Sequence, residues 1–127
     1  MTQRLKIMVC DDSALVRKKL KTVLEEQGYT DVREAENGEI AVDAVKADPP
    51  HVIFMDIVMP VKTGIEALKD IRAIAPDTKV IMASSVGTQS NLLEAIKLGA
   101  FDFVQKPFAA EEIVRVLAKV TKEEDHA

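Results

Sequence analysis

Five short strand-like runs, most of them rich in β-branched residues and each closed by polar side chains, alternate along the chain with five longer stretches of helical periodicity. The third run constrains the fold most. Val52, Ile53, Phe54 and Met55 follow one another without a polar interruption. The run is too short for a lone helix and favours a strand buried on both faces. Such a strand needs neighbours on both edges and helices over both faces. Strict strand–helix alternation supplies both, and it predicts a single α/β domain: a doubly wound, five-stranded parallel sheet with five helices and right-handed crossovers.

The remaining elements follow in order. Leu5–Cys10 reads as the first strand, with Asp11, Asp12 and Ser13 as N-cap candidates for a helix over Ala14–Gln27 that Gly28 stops. Val16, Leu20, Val23 and Leu24 recur at helical spacing toward the sheet, while Arg17, Lys18, Lys19 and Lys21 form a solvated face and Leu15 lies off the apolar stripe. Asp31–Ala35 is a weak strand suited to an edge, and Asn37-Gly38 turns into a helix over Glu39–Ala47. After the central strand, Asp56 stands where the chain leaves the sheet. Pro60 cannot extend the ladder, and Gly64 gives freedom to turn into a helix over Ile65–Ala75. Lys79–Ala83 is a buried strand closed by Ser84 and Ser85, followed by a helix over Ser90–Leu98. Phe101–Gln105 is the last strand, broken by Lys106-Pro107, and a helix covers Ala109–Val120. Period-two alternation places Phe101, Phe103 and Gln105 on one face of that edge strand. Residues 1–127 are thus expected to form one domain with a core of about 5–120 and a frayed polar tail over 121–127.

Composition narrows the function classes. A chain of 127 residues suits one folded unit, and no apolar stretch approaches the ~18 residues of a membrane span. The first residues carry no apolar signal region, so the expected location is cytoplasmic. Cys10 is the only cysteine, which excludes an internal disulfide or a cysteine-rich metal site and leaves it as core filler. A net charge of −4 opposes non-specific binding to nucleic acid or anionic membranes. A protein or a small phosphate compound is the expected partner.

In open parallel sheets, sites form outside the carboxyl ends of the strands where strand order reverses. For the order 2-1-3-4-5, the first and third strands are neighbours at that point, which gathers Asp11, Asp12 and Asp56; Ser84 and Lys106 end the next two strands. Asp56 alone would read as a turn cap. Three converging carboxylates repel one another, and Lys106 supplies only one compensating charge. A divalent hard cation supplies more, and an oxygen-only site suits Mg²⁺ better than Zn²⁺. Phosphoryl transfer uses these parts together, with Asp56 as the attacking carboxylate.

Asp11-Asp12, Asp56-Ile57-Val58-Met59-Pro60 with Gly64, Ser84-Ser85 and Lys106-Pro107-Phe108 occur in the order and spacing of a known family. The chain resembles the receiver domains of two-component response regulators, in their single-domain, CheY-like form, from about Leu5 to Val120. The resemblance implies Mg²⁺ at Asp11, Asp12, Asp56 and the main-chain carbonyl of Val58, phosphorylation of Asp56, Lys106 as phosphate partner and Ser84 as switch hydroxyl. It also implies a sensor histidine kinase or phosphotransfer protein as donor, a downstream target protein contacted through the fourth helix, fifth strand and fifth helix, and a monomer or weak dimer. Chemotaxis is one pathway that fits. Phe103 occupies the position of the switch aromatic, tyrosine in CheY, and lacks the hydroxyl. Val58 and Val86 flank the route of hydrolytic water in this family, and their apolar side chains predict slow self-dephosphorylation. A Mg²⁺-dependent aspartyl phosphatase for small substrates is the alternative, but such enzymes commonly carry a second acid two residues after the nucleophile, where this chain has Val58. A flavin binder lacks its phosphate cradle in the acidic first loop. A degenerate, constitutive receiver is opposed by the intact Asp11, Asp12, Asp56, Ser84 and Lys106 set.

Overall fold

A computed structural model describes residues 5–85 and 88–126. Strands β1 (Ile7–Cys10), β2 (Val32–Ala35), β3 (Val52–Asp56), β4 (Lys79–Ser84) and β5 (Asp102–Gln105) alternate with helices α1 (Ala14–Glu26), α2 (Gly38–Ala47), α3 (Gly64–Ile74), α4 (Leu92–Lys97) and α5 (Ala110–His126). The sheet is parallel and its order is β2-β1-β3-β4-β5, as expected. With β3 central, its backbone groups pair on both edges, and all five of its residues are buried.

Alternating residues of the strands feed two separate apolar layers. Met8, Ile53, Met55, Val80 and Met82 pack under α2, α3 and α4, against side chains that include Ala41, Val45, Leu68, Ile71 and Ala95. Ile7, Val9, Phe54, Ile81 and Val104 pack under α1 and α5, against Leu20, Leu24, Ile113, Val116 and Val120. Burying a side chain such as Phe54 contributes roughly 1.5–3 kcal/mol, so the central strand is held by hydrophobic burial on each face as well as by its ladder.

Three helices start with a side-chain cap: Ser13 accepts the Val16 N–H, Asn37 the Ile40 N–H, and Thr63 the Glu66 N–H, with Glu66 returning the bond to the Thr63 N–H in a capping box. The short α4 is preceded by one 3₁₀ turn over Gln89–Asn91, and Asn91 makes no side-chain cap bond.

Several details depart from expectation. Residues 121–126 continue α5, because Lys and Glu are good helix formers and the ladder needs only backbone groups. Phe101 precedes β5 and packs into the α1/α5 layer with Val104, away from the outward Phe103; alternation does not reach a residue outside the strand. The freedom of Gly64 is not used for turning. It is the first residue of α3, and a Cβ there would collide with the Asp56 carbonyl oxygen.

Candidate functional site

The ends of β1 and β3 lie side by side, since Cys10 pairs with Met55 in register. Asp11 and Asp56 are therefore the next residues of adjacent strands. Carboxylate oxygens of Asp11, Asp12 and Asp56 all lie within 4.8 Å of one another, Asp11 and Asp56 buried and Asp12 exposed. Lys106, reached by the chain as it leaves β5, places Nζ 2.5 Å from Asp11 Oδ2 and 3.1 Å from Asp56 Oδ1. The Ser13 N–H donates to Asp11 Oδ1 at 2.9 Å, so each oxygen of this carboxylate accepts one hydrogen bond and keeps a second lone pair.

Arg17 adds a support that helical periodicity assigns to the solvated face. Its guanidinium donates to the Asp11 carbonyl at 2.6 Å and to Glu34 at 2.9 Å. Its charge faces backbone and a β2 acid rather than bulk water; only the pairing of β1 with β2 brings these groups together.

The charge balance is uneven. Burial raises the Asp56 pKa, and the Asp11 carboxylate raises it further against the opposing pull of Lys106. Burial also works against the Lys106 ammonium, yet its hydrogen bond to Asp11 and the nearby charges of Asp56 and Asp11 leave its pKa raised. One ammonium thus sits among three carboxylates. The donor set is all oxygen, because burial and the Asp11 charge push the Cys10 thiol up to about 12, and it remains protonated. Hard donors with uncompensated negative charge fit a Mg²⁺-like cation.

The other expected residues are distributed around this group. Ser84 is the last residue of β4, buried, one position beyond the Asp56–Ala83 register pair. Its carbonyl accepts the Lys106 N–H at 2.8 Å, which ties the ends of β4 and β5 together. Phe103 lies on β5, paired with Met82 two positions before the Ser84–Gln105 pair, and its side chain is 42% exposed. Val58 is exposed, whereas Met59 turns inward and is buried. Val86, expected to flank the site, lies outside the described residues.

The loop after β3 has an unusual backbone. Val61 has φ 70°, and the Lys62 N–H donates to the Pro60 carbonyl at 2.8 Å across it. That is the hydrogen bond and φ of the rare, strained γ-turn, adopted here by a β-branched residue. A conformation of this kind costs on the order of 1–3 kcal/mol and persists only where its surroundings enforce it.

Residues 7–118 match the family described as response regulator receiver domain. The chain belongs to the response regulator receiver family. Among relatives of this receiver, the chemotaxis protein CheY of Thermotoga maritima is 42% identical over 117 residues, 92% of this chain and 98% of that protein. The Bacillus subtilis chemotaxis protein CheY is 41% identical over 114 residues, 90% of this chain and 95% of that one. Among solved structures, the receiver domain of AraT, a response regulator from Geobacillus stearothermophilus, superimposes with a TM-score of 0.89 at 28% identity, covering 98% of each chain. The receiver is therefore CheY-like in sequence along most of its length as well as in fold.

Proposed function

We propose that this receiver accepts a phosphoryl group from a histidine kinase or phosphotransfer protein onto Asp56, with Mg²⁺ held by Asp11, Asp12, Asp56 and the Val58 carbonyl. The observation that carries the reading is the single ammonium of Lys106 shared by Asp11 and Asp56, beside a third carboxylate in the same pocket. A bound divalent cation supplies charge neutralisation for the transferring group.

The protein's own residues do the rest. Burial of β3 on both faces holds the Asp56 carboxylate fixed, so one of its oxygens can attack phosphorus in line as the phosphorus–nitrogen bond of a phosphohistidine breaks and the imidazole leaves. Lys106, already 3.1 Å from Asp56, pairs with a phosphoryl oxygen, and the Ser84 hydroxyl donates to another. Drawing Ser84 toward the phosphoryl group opens space on the sheet face it shares with Phe103, and the aromatic ring packs inward. The exposed Leu93, Ile96 and Phe103 give α4 and β5 an apolar surface, flanked by α5, that this repacking alters for a downstream target protein. The domain acts as a signalling receiver and catalyses only its own phosphorylation and dephosphorylation. Its action is cytoplasmic, without nucleic acid or membrane contact, as a monomer or weak dimer, and the CheY relatives favour chemotaxis as the pathway.

Incubation with a small acyl phosphate and Mg²⁺ followed by mass spectrometry tests this directly. Wild type is expected to gain one phosphoryl group, and Asp56→Asn none; equal gain in both defeats the assignment. With Val58 exposed and apolar beside Asp56, the phosphoprotein is expected to outlast minutes without a phosphatase.

A further inference from the structure

The strained loop after β3 is gripped from two sides by one residue that the phosphotransfer reading leaves unused. Lys62 follows Val61 directly. Its side-chain ammonium forms an ion pair with Asp70, two turns into α3. Its carbonyl accepts the Gly38 N–H at the first turn of α2, at 3.2 Å. The approach there is so close that a Cβ on Gly38 would collide with the Lys62 carbonyl oxygen. Lys62 therefore ties the loop to α3 through its side chain and to α2 through its backbone, while its own N–H closes the turn over Val61. Glu39, Asp43 and Lys46 of α2 line the same groove as Lys62 and Asp70, so three acids face two lysines there and the balance favours a cation at position 62. Val61 is 74% exposed and gains little by burial, so packing of its own side chain does not explain its left-handed backbone.

We propose that Lys62 is a positioning residue, whose ion pair with Asp70 and backbone bond to Gly38 hold Val61 in its strained conformation and so fix the main-chain carbonyl of Val58 for the metal. The inference rests on the Mg²⁺ assignment above and adds to it the means by which the loop presents a carbonyl at a constant place.

Coulombic and positional effects of Lys62 have opposite signs, which makes the idea testable. Removing a nearby cation by Lys62→Met tightens Mg²⁺ binding if charge alone matters. Loss of positioning weakens it, with about a 10-fold rise in Kd expected, as for other supports of metal ligands. The measurement is a MgCl₂ titration followed by amide chemical shifts of the ¹⁵N-labelled protein, with amide hydrogen exchange of the metal-free form as a second readout. Exchange at Lys62 and Gly64 is expected to accelerate in Lys62→Met while β1 and β3 stay protected. Lys62→Arg is expected to restore both readouts. In a Val61→Asn background, where the left-handed backbone is easily adopted, the Lys62→Met penalty is expected to shrink to about threefold or less. Normal wild-type binding with unchanged or tighter Mg²⁺ affinity in Lys62→Met overturns the positioning role alone. Absence of any Mg²⁺-induced shift in wild type overturns the metal assignment and the inference with it.

Discussion

Two loops on the same rim of the sheet are secured in different ways. After β3, the chain is bonded to α2 through Lys62 and Gly38, to α3 through Lys62 and Asp70, and across its own base through the Gly64 N–H on the carbonyl of Ile57, the first residue past β3, at 2.8 Å. After β4, the hydrogen bonds among the described residues are local: the Ser85 N–H to Thr88 Oγ1, the Thr88 N–H to the Ser85 carbonyl, and the Asn91 N–H to the Thr88 carbonyl. The first loop feeds α3, an 11-residue helix with a capping box, and the second feeds the six-residue α4 without a side-chain cap. The proposed chemistry thus sits beside a loop tied to two helices, whereas the proposed readout surface begins at a short helix without a side-chain cap.

Four measurements can break or sharpen that contrast. Lys106→Met leaves Asp11 and Asp56 facing each other without their shared ammonium, and urea unfolding of the metal-free protein is expected to show a loss of about 1–3 kcal/mol. A silent substitution would mean that the chemical end is not rigidly paired. Thr63→Ala removes the α3 cap and is expected to cost about 1 kcal/mol by the same method. On the other side of the sheet, Asp102 accepts from Lys119 at 2.7 Å and Arg115 at 3.3 Å. Burial raises its pKa, but the Lys119 hydrogen bond and neighbouring charges win and hold it below the usual carboxylate range. The stability it contributes is therefore present above its unfolded pKa of about 3.9 and is lost as pH falls through the lower folded value. Asp102→Asn is expected to cost about 0.5 kcal/mol near pH 7 and to flatten the acid limb of the stability curve; an unchanged limb would count against the pairing. Smallest of all, Asn91→Ala is expected to change stability by less than about 0.5 kcal/mol. A loss as large as that of Thr63→Ala would erase the distinction between the two helix starts.

Much of this arrangement was legible in the chain. Apolar runs closed by polar residues mark β1, β3 and β4, a weak polar run and an interrupted aromatic one mark β2 and β5, and the rule for parallel sheets gathers Asp11, Asp12, Asp56 and Lys106 at one edge. Residues whose role depends on a distant partner were not legible. Arg17 lies at a position that helical periodicity makes solvent-facing, yet it braces Asp11 because β2 brings Glu34 alongside. Gly38 and Gly64 read as turn residues, but both are needed where a helix start presses on a backbone carbonyl. Lys62 carries no local signal, since its partners lie on two other elements. Phe101 and Phe103 share parity in sequence and part company because β5 begins only at Asp102.

The central strand has one more implication. Paired on both edges and covered on both faces, β3 is a stiff member of the sheet. When a load is applied across stiff and soft springs in series, nearly all the displacement falls on the soft spring. Under the proposed phosphorylation, bulk and charge added at Asp56 would not be absorbed by sliding β3, and the displacement would fall on the elements around it. On the proposed function no long lever is needed: immobility beneath the phosphoryl group would direct motion toward the surface where Leu93, Ile96 and Phe103 lie exposed.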